Sequence, residues 1–131
     1  MKSGSYLIFL RRLELQVSIG LHPDERAAPQ RLFLSAAMML QRQGPGDRND
    51  AVVDYVFLRD AAIRIASERH WDLQESLCEA VAEAAIEGGA SGVLVESAKP
   101  DIYPEADAVG CRLARVAPGG PETAWLLTLP L

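Results

Sequence analysis

The sequence predicts an α+β domain in which a four-stranded antiparallel sheet carries two helices on one face, in the order ββααββ. Three observations predict it. Apolar residues alternate with polar ones through the N-terminal third, two stretches at helical spacing follow, and the alternating pattern returns in the last third. At 131 residues the chain is long enough for one such domain with its own core and short for two.

The first strand falls between Tyr6 and Leu21, with Leu13, Leu15, Val17 and Ile19 on one face and Glu14, Gln16 and Ser18 on the other. The polar turn His22-Pro23-Asp24-Glu25-Arg26 leads to a second strand, Arg31 to Arg42, which pairs with the first as a long hairpin. Turn formers and charge from Gln43 to Asp50 predict an exposed loop. Leu58, Ala61, Ala62 and Ile65 then mark the buried face of one helix, and Leu73, Leu77, Val81 and Ala84 that of another. The second helix opens with Asp72 as a candidate N-cap and Glu75 three residues on, a capping-box spacing, and Gly88-Gly89 ends it. Val93 to Lys99 and Val109 to Val116 are the last two strands, joined by an acidic turn from Asp101 to Asp107. Residues 1–116 therefore form the domain, and 117–131 an extension whose apolar end, Trp125 to Leu131, is expected as an edge strand or an interface segment.

Composition excludes several classes of function. Apolar residues are 49% and charged residues 24%, as in a folded globular chain. The 13 basic residues are outnumbered by 18 acidic ones, for a formal charge of −5, so nucleic acid is not an expected partner. No apolar run approaches the ~20 residues that span a bilayer, which makes the cytoplasm the expected location, away from membranes. Cys78 and Cys111 lack metal or redox spacing and are expected as reduced, buried thiols, while His22 and His70 lack metal-ligand neighbours, so no metal is expected.

The candidate chemistry centres on lysine. Only Lys2 and Lys99 are lysines among the 13 basic residues, and Lys99 ends an apolar strand directly before a proline. An ammonium can exchange its proton in a reaction where a guanidinium cannot, although arginine bias with chance is the ordinary explanation of such a count. Glu75 has capping as its ordinary role, Glu25 a solvated ion pair, and Tyr55 a ring anchoring the start of a helix.

Five segments, however, occur together: Ile19-Gly20-Leu21-His22-Pro23-Asp24-Glu25-Arg26 with Gln30, Val53-Asp54-Tyr55, Leu73-Gln74-Glu75-Ser76-Leu77-Cys78-Glu79, Lys99-Pro100, and Ala108-Val109-Gly110-Cys111-Arg112-Leu113. In this order the chain from Tyr6 to Val116 resembles the dihydroneopterin aldolase family. The resemblance implies a tunnelling fold, whose sheets join between subunits into an oligomeric barrel, a tetramer or octamer with active sites at subunit interfaces. It implies a carbon-carbon lyase that cleaves 7,8-dihydroneopterin, a pterin, to 6-hydroxymethyl-7,8-dihydropterin and glycolaldehyde in folate biosynthesis, with no cofactor, metal or Schiff base.

Position by position, the resemblance makes Lys99 the acid/base, Tyr55 a proton-transfer partner contributed across a subunit boundary, and Glu25 the carboxylate near the substrate side chain. Glu75 becomes the anchor of the pterin ring, with Leu73 and Gln74 completing the ring slot through their backbone. The chain departs from the family pattern in the longer acidic segment after Lys99-Pro100 and in its C-terminal extension. Two alternatives stand beside the aldolase: an epimerase acting at the 2′ carbon of dihydroneopterin or its triphosphate, and a non-catalytic pterin-binding subunit.

Overall fold

The structure, a computed structural model, describes residues 3–43 and 54–131. Most of the loop predicted at 43–50 lies outside the described residues, as do Val53 and Lys2. The predicted sheet is present. β1 (Ser3–Val17) pairs antiparallel with β2 (Gln30–Gln43), β2 with β3 (Gly92–Lys99) and β3 with β4 (Val109–Val116), giving the order β1-β2-β3-β4.

The alternation along β1 changes phase, with Tyr6, Ile8 and Leu10 in the first half and Leu13, Leu15 and Val17 in the second. A bulge reconciles them. Leu10 faces Ala36 and Leu13 faces Leu34, so one extra residue is taken up on β1, and Arg12 adopts φ 58° with its N–H on Ser35 Oγ at 2.9 Å. Both apolar sets therefore pack on the same core. β1 ends at Val17, short of the predicted Leu21, because the next residues leave the sheet to pair with Trp71: Gly20 N–H donates to Trp71 O at 2.8 Å and Trp71 N–H to Ser18 O at 2.9 Å. The polar turn that follows closes into one helical turn, α1 (Pro23–Ala27), with proline at its start.

Two longer helices cover one face of the sheet. α2 (Tyr55–Ala66) is capped by Asp54, whose carboxylate accepts from the N–H groups of Val56 and Phe57, and it buries Leu58, Ala61, Ala62 and Ile65 as predicted. α3 (Gln74–Glu87) buries Leu77, Cys78, Val81, Ala82 and Ala85 against β3 and β4. The predicted capping box at its start is not formed. The N-cap is Leu73, without a side-chain cap, and Asp72 instead accepts a 2.9 Å bond from Arg26, so a partner distant in sequence has taken the carboxylate. Leu73, expected in the buried stripe, is exposed.

The extension is not an edge strand. It forms a short helix, α4 (Thr123–Leu126), whose Leu126 is fully buried. Arg112 fixes it by donating to the carbonyls of Leu127 and Leu129 at 3.1 and 2.6 Å, while its Nε bonds Glu96 at 2.7 Å. Along β4, Arg112 alternates with Cys111 and Leu113, which face the helices, so the extension lies on the opposite side of the sheet. A proline in this segment, Pro121, and Leu126 together fill the space over Gly92 that a side chain there would need. Trp125 stays largely exposed.

Candidate active site

The end of β3, the segment between β1 and α1, and the start of α3 converge on one point. β3 carries Lys99 to its last position, where it is buried, and α1 presents Glu25 from the other side, so that Lys99 Nζ donates to Glu25 Oε2 at 2.7 Å. Both side chains are about nine-tenths covered, at 9% and 10% exposure. Glu25 is not the solvated residue of its ordinary reading. Gln30, at the start of β2, spans the carbonyl of Ile19 and Glu25 Oε2 through Nε2, at 2.8 and 2.9 Å, and the N–H of His22 reaches Oε1 at 3.4 Å.

Burial pushes the Glu25 carboxyl up, but the hydrogen bonds from Lys99, Gln30 and His22, with the Lys99 charge, outweigh it and hold the group down at about 2. Glu25 is a carboxylate throughout the neutral range. Backbone geometry makes room for it: Gly20 has φ 127°, and a Cβ on Gly20 would overlap the carboxyl atoms of Glu25. The Gly20 backbone is itself fixed by Trp71 and by His70, whose Nε2 lies 2.9 Å from the Gly20 carbonyl and whose Nδ1 lies 2.6 Å from Ser18 Oγ.

The ion pair lines two cavities. One, of about 200 Å³, is also lined by Leu73, Gln74 and Glu75 at the start of α3 and by Leu21 before α1. Leu21 and Leu73 are exposed apolar side chains, suited to the faces of a flat ring, and Glu75 supplies a carboxylate for donors on its edge. The second cavity, of about 470 Å³, is lined by the same Lys99 and Glu25 and by the turn after β3. Five of the six predicted site residues, Lys99, Glu25, Glu75, Leu73 and Gln74, thus share one place. Tyr55 does not join them: it is 60% exposed at the first position of α2 and lines neither cavity.

Gln30 and Gly20 stand in the segment that carries the resemblance, yet sequence reading gave neither a part. A lone glycine inside the end of a predicted strand, just before a polar turn, was the available signal for Gly20. Behind the ring cavity, Ser97 Oγ donates to Gln74 Oε1 at 2.6 Å and lies 3.7 Å from Cys111 Sγ. Cys78 and Cys111 are both free, with sulfurs 3.9 Å apart, but Cys111 is only half-buried because β4 is an edge strand. The hydrogen bond with Cys78 lowers Cys111 to about 7 against the effect of burial, with Ser97 assisting, while the same contact and burial raise Cys78.

Residues 8–114 match the family model described as dihydroneopterin aldolase. The chain belongs to the dihydroneopterin aldolase family. A curated dihydroneopterin aldolase of Methylorubrum extorquens is 33% identical over 81 residues, which is 60% of this chain and 62% of that protein. The chain thus aligns with somewhat under two thirds of that relative's length. Among solved structures, a dihydroneopterin aldolase from Burkholderia thailendensis bound to guanine superposes with a TM-score of 0.75 at 28% identity, covering 86% of this chain and 92% of that one. The Escherichia coli dihydroneopterin aldolase in complex with neopterin shares the fold, with a TM-score of 0.71 at 20% identity over 84% of this chain and 98% of that one. The family assignment agrees with the antiparallel sheet and helical face. Within the described residues, no helix is long and apolar enough to cross a membrane.

Proposed function

We propose that the chain is a lyase that cleaves 7,8-dihydroneopterin in retro-aldol fashion, giving 6-hydroxymethyl-7,8-dihydropterin and glycolaldehyde. The observation that carries this reading is the covered Lys99–Glu25 pair in the lining of a ring-sized cavity that the Glu75 carboxylate shares. A dihydropterin presents a 2-amino group and an N3–H side by side, and Glu75 is the acceptor for both. Leu21 and Leu73 flank the ring, which directs its C6 substituent toward Lys99.

Lys99 then moves the proton of the 2′ hydroxyl. As the O–H proton leaves, the oxygen lone pair forms the aldehyde C=O, the C1′–C2′ bond breaks, and its electrons pass into the N5=C6 imine of the ring. That imine is an electron sink already present in the substrate, so the chemistry needs neither a Schiff base nor a metal. The resulting enamine takes a proton at C1′ and becomes the hydroxymethyl product. Glu25 holds Nζ in place throughout, fixed in turn by Gln30 and by the space over Gly20.

Tyr55 acts from a neighbouring subunit in this scheme. Its exposure, together with that of Val56 and Phe57 beside it, supports a homo-oligomer, a tetramer or octamer closed as a barrel, that covers the start of α2. Two free thiols in contact fit the reducing cytoplasm, where folate biosynthesis would use the product. The test is glycolaldehyde release from 7,8-dihydroneopterin by the wild-type chain and by Lys99→Ala. Release by the wild type and its loss in a variant that still binds neopterin are expected; unchanged release by the variant would remove Lys99 from the mechanism.

A further inference from the structure

The cavity beyond the ion pair has no part in holding the ring, yet it shares His22, Glu25 and Lys99 with the ring cavity. Its lining also includes the turn after β3, with Asp101, Ile102 and Tyr103, and Asp24 of α1. Resting on the pterin reading above, a ring seated against Glu75 with C6 at Lys99 sends the rest of its C6 substituent into this space.

The charges there are already matched. Lys99 is bound to Glu25, and the lining residue Asp101 is bound to Arg31 through Nε–Oδ2 at 3.2 Å and Nη2–Oδ1 at 2.9 Å. That two-point bond ties the turn to β2 at Asp101, two residues before Tyr103. Asp24 adds a further carboxylate at the wall. A phosphorylated chain would therefore meet surplus negative charge and cations already neutralised. A chain of neutral hydroxyl groups would meet carboxylate acceptors and, from Tyr103, a half-exposed phenol able to donate and accept.

We propose that the Asp101–Tyr103 turn and Asp24 form a recognition site for a neutral, hydroxylated C6 side chain, with Tyr103 binding its hydroxyls and Asp24 excluding phosphate. The site selects 7,8-dihydroneopterin over its triphosphate. Tyr103 touches the part of the substrate that leaves as the aldehyde, so its contribution is absent from a ligand that lacks that part.

The test measures kcat and KM for 7,8-dihydroneopterin and for its triphosphate, and Kd for 6-hydroxymethyl-7,8-dihydropterin, in the wild type, Tyr103→Ala, Tyr103→Phe and Asp24→Lys. Loss of the phenol contact raises KM for 7,8-dihydroneopterin about three- to tenfold and leaves Kd for the hydroxymethyl pterin within about twofold. Tyr103→Phe reproduces most of that loss, since it keeps the ring and removes the hydroxyl. Asp24→Lys improves kcat/KM for the triphosphate relative to 7,8-dihydroneopterin by about tenfold. Equal weakening of both ligands by Tyr103→Ala, or unchanged KM with full turnover, overturns this assignment and leaves the aldolase reading standing. A wild-type preference for the triphosphate overturns it equally. A wild type that binds neither pterin overturns the aldolase reading, and this one with it.

Discussion

Gly20→Ala isolates the device that places Glu25. An alanine methyl at this position would overlap the carboxyl group, and ordinary carbon–oxygen contact requires the carboxylate to withdraw by about 1 Å or more. The 2.7 Å bond to Lys99 and the 2.9 Å bond from Gln30 cannot both survive that movement. The φ of 127° adds backbone strain. Strain and a disrupted covered ion pair together cost about 2–5 kcal/mol of stability. Displacing the carboxylate that holds Lys99 Nζ by this distance lowers kcat by about 10²-fold. Urea unfolding and glycolaldehyde kinetics measure the two effects. A double-mutant cycle separates them further, because in the Glu25→Ala background the methyl has no carboxylate to displace, and only the backbone strain of about 1–3 kcal/mol remains. A Gly20→Ala enzyme within twofold of wild-type kcat, or the same stability cost in both backgrounds, would refute the reasoning.

Three further outcomes are expected. Glu25 is held well below the ordinary carboxylate range, so its contribution to stability, on the order of 3 kcal/mol, is present above pH 4.5 and is lost as pH falls toward 2. The unfolding free energies of wild type and Glu25→Gln should therefore converge over that window, and a constant difference would count against the ion pair. Cys111 lines an open groove and sits near 7, whereas Cys78 is buried and raised, so iodoacetamide at neutral pH should label Cys111 first; prior labelling of Cys78 would contradict the assignment. Leu126→Ala should destabilise the chain by about 2–5 kcal/mol through the void it leaves over the sheet, while a change below 0.5 kcal/mol in urea unfolding would mean that the extension is not docked.

Most of the sheet and both long helices were legible in the sequence because their periodicity is local. The bulge in β1 was also written there, in the change of phase between Leu10 and Leu13, but two phases read as one strand only once β2 supplies the register. What was not legible depended on distant partners. Asp72 has the right spacing for a cap, yet Arg26 draws it away, leaving Leu73 at the N-cap and exposed beside the ring cavity. The apolar end of the extension reads as an edge strand or an interface segment, but Arg112 collects its carbonyls and Leu126 finds the sheet surface, which favours a compact turn of helix.

The candidate site divides along the same line. Lys99 stood out by its rarity and Glu75 by its place at the start of a helix, whereas the pairing of Lys99 with Glu25 joins residues 74 positions apart and no local pattern announces it. Gln30 and Gly20 matter only through Glu25, so their roles appear only after the chain has folded around that carboxylate. Tyr55, which the resemblance also pointed to, lies outside both cavities within one chain.

The most direct measurement of the central claim follows the atom that changes bonding partners. Cleavage of 7,8-dihydroneopterin in D2O places one deuterium on the hydroxymethyl carbon if an enamine forms and is protonated at C1′. Wild-type enzyme should give a hydroxymethyl product carrying one solvent-derived deuterium, together with glycolaldehyde. Product without solvent deuterium at that carbon, or no cleavage by a protein that binds neopterin, would contradict the account.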